Sequence, residues 1–219
     1  MGRRKKFLIS VYKILLEHFG PQHWWPAESR FEVIVGAILT QNTNWCNVEK
    51  AIERMRLGGC LEPVVLRDIA EDKLAEFVRP AGYFNIKARR LKNFMHFFYK
   101  EYDGNISVMK KESLNILRKK LLNVNGIGHE TADSILLYAL DKPIFVVDAY
   151  TRRLLLRHRI IAAEADYDDI QKVFMSRLPH NVDMFNEYHA LIVRLGKDFC
   201  KTTPVCEECP LNRLRDKRK

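Results

Sequence analysis

The sequence predicts an all-α protein, and three observations carry that expectation. Apolar residues recur at helical spacing almost throughout, two-residue alternation is scarce, and glycines and prolines cut the chain into segments of roughly 8–15 residues.

From the N-terminus, Met1 to Lys6 is basic, and Phe7 to Phe19 mixes apolar with polar residues. That reads as an amphipathic helix and not as a signal peptide. Phe31, Val35, Ile38 and Leu39 form the next stripe, followed by Ile52 and Met55, then Ile69, Leu74 and Phe77. Leu91, Phe94, Met95 and Phe98 form another. Leu114, Leu117, Leu121 and Leu122 follow, and Ile135, Leu136, Ala139 and Leu140 close the series. Breaks fall at Gly20-Pro21, Pro26, Gly58-Gly59, Pro80-Ala81-Gly82, Asp103-Gly104, Gly126 to Gly128, Pro143 and Pro179. There is no internal repeat and no low-complexity linker. The length allows either one domain or two small lobes.

Of the 219 residues 47% are hydrophobic, enough for a sizeable core, and 29% are charged. No apolar run approaches the roughly 20 residues that a membrane-spanning helix needs. The cytosol is the default location and a monomer the default state. Net charge is +10, with basic clusters at Lys87, Arg89, Arg90 and Lys92, at Arg118 to Lys120, at Arg152, Arg153 and Arg157, and from Arg213 to Lys219. Such clusters suit a polyanion, because Lys and Arg neutralise phosphates and release counterions.

Leu121-Leu122-Asn123-Val124-Asn125-Gly126-Ile127-Gly128-His129-Glu130-Thr131-Ala132 joins two helical patterns. Gly126 and Gly128 permit a tight reversal, Ile127 can plug into the core, and backbone N–H groups then face outwards towards an anion. Further on, four apolar residues, Ile144 to Val147, run into Asp148, and a basic helix starts directly after it. Taken alone, Asp148 is a helix N-cap.

The flanking Val124, Ile127, Thr131 and Ala132 make the first segment resemble the DNA-binding helix-hairpin-helix motif. The hairpin with an aspartate twenty positions after Gly128 resembles the DNA glycosylase superfamily of endonuclease III, over residues 30 to 210. Four separated strings are similar to the 3-methyladenine DNA glycosylase III group: Trp24-Trp25-Pro26; Leu39-Thr40-Gln41-Asn42-Thr43; Val78 to Asn85 with Lys87 to Leu91; and Gly126 to Asp133.

The resemblance implies a fold of two lobes, residues 32–142 and residues 1–31 together with 143–219, with a cleft between them, that binds double-stranded DNA and flips a damaged base into a pocket. It implies that Gly126, Gly128, His129 and Thr131, with Lys87 and Arg89, contact the strand. Trp24, Trp25, Pro26 and Trp45 would line the base pocket, and Gln41 would fill the gap in the duplex. Asp148 would orient or deprotonate a water and offset charge on the sugar. Lyase members carry a lysine where Glu130 stands, and a carboxylate forms no Schiff base, so base release without strand cleavage is expected. Glu130 could also attract a cationic base, and indole faces favour a methylated, positively charged purine. Uracil or mismatched thymine is the rival substrate, and a non-catalytic damage-binding protein the rival class. No nucleotide cofactor is expected.

Cys46 and Cys60 fall in helical patterns, where a buried free thiol is usual. Cys200, Cys206 and Cys209 crowd one C-terminal loop, as in iron–sulfur members of the superfamily, but Arg215 stands where a fourth cysteine is expected. Three alternatives stay open: a 4Fe-4S cluster with water or an exogenous fourth ligand, a zinc ion needing a fourth partner, or no metal.

Overall fold

Leu8, Val11 and Leu15 recur on one face of the first helix, α1 (Arg3–Phe19), and all three are buried. The computed structural model describes residues 2–215, so Met1 and the last four residues of the basic C-terminal cluster lie outside it. Among the described residues every regular element is helical and there is no strand.

The chain divides into two compact units, Trp25–Lys142 and Met1–Trp24 with Pro143–Lys219. The first is organised around α2 (Arg30–Leu39). Ser29 caps it by accepting from Glu32 N–H at 3.1 Å, and every residue from Phe31 to Leu39 is buried. A helix apolar on all sides belongs inside a core, and α2 is the centre of this one. Its one buried charge, Glu32, is met by Arg56 at 3.0 Å. Against it pack α3 (Trp45–Leu57) and α6 (Phe84–Tyr102), and α4 (Pro63–Asp68), α5 (Glu71–Val78) and a 3₁₀ turn (Arg79–Ala81) pack on those two helices. The unit continues through α7 (Ile106–Lys111) and α8 (Leu114–Leu122). The last helix, α9 (His129–Ser134), widens into a π turn over Ile135–Ala139, where all five residues are buried. Two expectations fail locally. Ile69 ends α4 in an extended conformation, and Cys46 is exposed in the first turn of α3, with only Cys60 buried.

In the second unit α1 packs against α12 (Val182–Asp198), and the Tyr188 hydroxyl donates to the Leu8 carbonyl at 2.8 Å. Residues 144–147 are buried but belong to no helix or strand. Their backbone is satisfied by α11 (Tyr167–Met175) instead: Gln171 Nε2 donates to the Phe145 carbonyl at 2.7 Å, and Val147 N–H donates to the Tyr167 hydroxyl at 3.3 Å. Phe145 stacks on Phe174 with centroids 3.7 Å apart. This anchored segment delivers Asp148 to the start of α10 (Ala149–Arg157). The chain closes through the cysteine loop and α13 (Asn212–Arg215).

Candidate functional site

The hairpin lies between α8 and α9. Val124 and Ile127 are buried, and Ile127 N–H donates to the Val124 carbonyl at 3.0 Å. Gly126 has φ +93°, and a Cβ there would overlap the Arg90 stem, so the position needs glycine twice over. Gly128 has ordinary extended backbone and is exposed, leaving the turn open to an approaching partner.

The residues expected to touch DNA divide into two sets. Gly128 and Arg89 are exposed, and Arg89 sits 3.3 Å from Glu71; Glu130, expected at the catalytic position of the hairpin, is exposed as well. His129 is half-buried, its Nδ1 3.4 Å from Arg118, which itself clamps the fully buried Asp133 at 2.7 Å. The other set is corrected. Lys87 is only 1% exposed, and its ammonium donates to the Ala81 carbonyl at 2.6 Å; burial, with Arg90 nearby, pulls its pKa down to about 8. It ties α6 to the 3₁₀ turn and is out of a phosphate's reach. Thr131 is buried too, and its hydroxyl accepts from Gln41 Nε2 at 2.9 Å. Gln41 also donates to the Gly126 carbonyl at 3.0 Å and accepts from Arg90. An amide already bridging three groups is a strut of the hairpin in this conformation, not a side chain held ready for a duplex.

Among the aromatics, Trp25 meets Trp45 edge to face, 4.9 Å between centroids at 89°, and leans on Tyr138 at 5.2 Å. Rings in mutual contact leave no slot between them, so a base would meet an outer face. Trp45 Nε1 donates to Glu49 at 2.7 Å. With Pro26, Ile52 and Pro80, Trp45 lines an open groove of about 660 Å³. Trp24 belongs to the other unit.

Asp148 is the N-cap of α10, its Oδ1 accepting from Thr151 N–H at 2.7 Å. Its Oδ2 lies 3.5 Å from Nε2 of His189 on α12, and the two side chains are 12% and 8% exposed. Burial pushes the carboxyl up, yet His189 and Thr151 outweigh it and hold the group below the ordinary aspartate value. Asp148 is thus an ionised carboxylate with a small exposed area. Sequence reasoning missed His189, and placed Arg90 only in a basic cluster, not against Gln41. The only signal for His189 was a polar residue on the buried face of α12, beside Phe185, Tyr188 and Ile192.

Cys200, Cys206 and Cys209 line one cavity of about 200 Å³, with His158 and Leu195 among its walls. Arg157 Nη1 donates to Cys200 Sγ at 3.3 Å, and Arg153 and Arg157 hold the loop carbonyls of Cys200, Lys201 and Thr202 at 2.7–2.8 Å. Among the described residues, no three His, Cys, Asp or Glu side chains form a group able to hold a single metal ion.

The family model for the HhH-GPD superfamily base excision DNA repair protein matches residues 35–180. The chain belongs to this superfamily. A Methanocaldococcus jannaschii protein provisionally named a DNA repair glycosylase is 50% identical over 208 residues, 94% of each chain. The solved structure of the H. pylori 3-methyladenine DNA glycosylase MagIII, bound to 1,N6-ethenoadenine, aligns with TM-score 0.76 and 31% identity over 89% of this chain and 97% of that one. A trapped endonuclease III–DNA covalent intermediate aligns with TM-score 0.83 at 20% identity, over 98% and 97% of the two chains, a likeness of fold. The all-helical HhH-GPD fold expected from the sequence is the one observed. No helix among the described residues is long and apolar enough to cross a membrane.

Proposed function

We propose that this superfamily member is a monofunctional DNA glycosylase that hydrolyses the bond between an alkylated purine and deoxyribose. The observation that carries the reading is Asp148, kept ionised while largely withdrawn from solvent by Thr151 and His189. The likeness to a 3-methyladenine glycosylase over most of both chains supports the substrate class.

The hairpin backbone around Gly126 and Gly128 grips the sugar–phosphate strand without reading sequence. The flipped purine presents its positive ring to an indole face, an attraction of about 0.5–2 kcal/mol. A water oxygen attacks the anomeric carbon, the glycosidic C–N bond breaks, and the base leaves with the bonding pair. Asp148 takes the proton of the water and offsets the positive charge on the sugar. Glu130 offers no amine at the hairpin, so no Schiff base forms and the product is an abasic site.

Three thiols around one cavity of about 200 Å³ would suit the four-iron cluster of the iron–sulfur members of the superfamily. Cys200, Cys206 and Cys209 would hold it, with the fourth ligand from outside the set, and when bound it would brace the loop rather than act on the sugar.

The test is incubation with methylated DNA followed by analysis of the released base. Free 3-methyladenine with intact strands supports the proposal. Release only from uracil-containing or mismatched duplexes reassigns the substrate, and a borohydride-trapped adduct overturns the monofunctional reading. Tight binding with no release, unchanged in Asp148→Asn, makes the protein a damage binder.

A further inference from the structure

We infer that His189 is a positioning residue for Asp148, gripping one carboxylate oxygen from α12 while the Thr151 N–H grips the other from α10. The inference rests on the reading of Asp148 as the catalytic acid. A carboxylate rotates freely about its terminal torsion unless both oxygens are held, and a base that must meet a water needs one orientation. Here Oδ1 receives Thr151 N–H at 2.7 Å and Oδ2 faces His189 Nε2 at 3.5 Å, a contact of ion-pair length. Contacts of this kind are often long before substrate binds.

His189 is itself fixed in place. Its neighbour Tyr188 bonds the backbone of α1 through Leu8 at 2.8 Å, and the imidazole stands edge-on to Phe145 with centroids 6.4 Å apart. From α11, the Tyr167 hydroxyl accepts Val147 N–H one residue before the aspartate. The groups set against Asp148 are therefore a rigid imidazole from α12, a backbone N–H of its own helix and an anchored approach segment held by α11. Without His189, burial is the dominant influence left on the carboxyl, and it favours the protonated acid.

Three variants and one measurement on the native chain test this. His189→Leu removes the grip, and His189→Gln keeps an N–H donor near the Nε2 position. Single-turnover release of 3-methyladenine should fall by about 10- to 100-fold in His189→Leu, less than the roughly 10²- to 10⁴-fold that general-base catalysis itself supplies. DNA affinity should stay unchanged, the acid limb of the pH–rate profile should move to higher pH, and His189→Gln should restore most of the rate. In the unmodified protein, nitrogen NMR should show His189 protonated at Nε2. A native rate and acid limb in folded His189→Leu overturns the inference. So does a bare Nε2 in the native protein, which decides the matter if His189→Leu does not fold. Asp148→Asn separates the two claims: if it excises at the native rate, the catalytic reading fails, and the NMR result alone then judges the pairing.

Discussion

Gly196 of α12 lies directly beneath the ring of Tyr150 on α10, so close that any Cβ would overlap Tyr150 Cδ1. The helix carrying the N-cap aspartate and the helix carrying His189 owe their separation to this missing side chain. Gly196→Ala should push them apart and destabilise the protein by about 1–3 kcal/mol, the range for overpacking. Urea unfolding measures this, and adding Tyr150→Ala should recover part of the loss, because the overlap with the ring is removed and only the tight contact with the Cβ of residue 150 is left.

Asp148→Asn isolates the charge of the carboxylate, since asparagine caps a helix about as well as aspartate. Base release should fall by about 10²- to 10⁴-fold in single turnover. DNA binding, followed by gel shift, should be retained.

The same substitution predicts a pH effect on stability. His189 and Thr151 overcome burial and hold the Asp148 carboxyl below its unfolded value. The unfolded chain therefore binds that proton more readily. Asp148 contributes stability above about pH 4, and the contribution disappears as pH falls through the lower, folded value. Asp148→Asn should be less stable than the parent at neutral pH, and the difference should shrink in acid. Denaturant melts across that range would show it.

Lys87 has the opposite sign. Burial lowers its folded pKa to about 8 from an unfolded value of about 10.4. Between those values the unfolded chain holds the extra proton, so this group makes stability rise with pH across the interval. Lys87→Met should abolish that slope while leaving the Ala81 carbonyl without its donor. Retention of the slope in Lys87→Met would assign it to another group.

Gly126→Ala meets both a left-handed backbone and the Arg90 stem. The left-handed conformation alone costs about 1–2 kcal/mol for a residue with a Cβ. DNA affinity should fall along with stability, because the displaced Arg90 and Gln41 brace the hairpin. An Arg90→Ala background should relieve the steric part and leave the backbone part.

The all-α class, the breaks between helices, the glycine hairpin and the capping role of Asp148 were legible in the chain itself. Each is a local property: helical spacing reports one face of one helix, and a capping aspartate needs only the next three residues. What surrounds those groups was decided by the tertiary structure. Lys87 in a basic segment and Thr131 after the glycine hairpin look like surface residues, yet packing buries both, and Gln41 spends its amide on Gly126, 85 positions away. His189 and Asp148 meet only because α10 and α12 pack together over Gly196. A side chain's partner and its access to water depend on which distant segment lies against it, and periodicity carries no information about that.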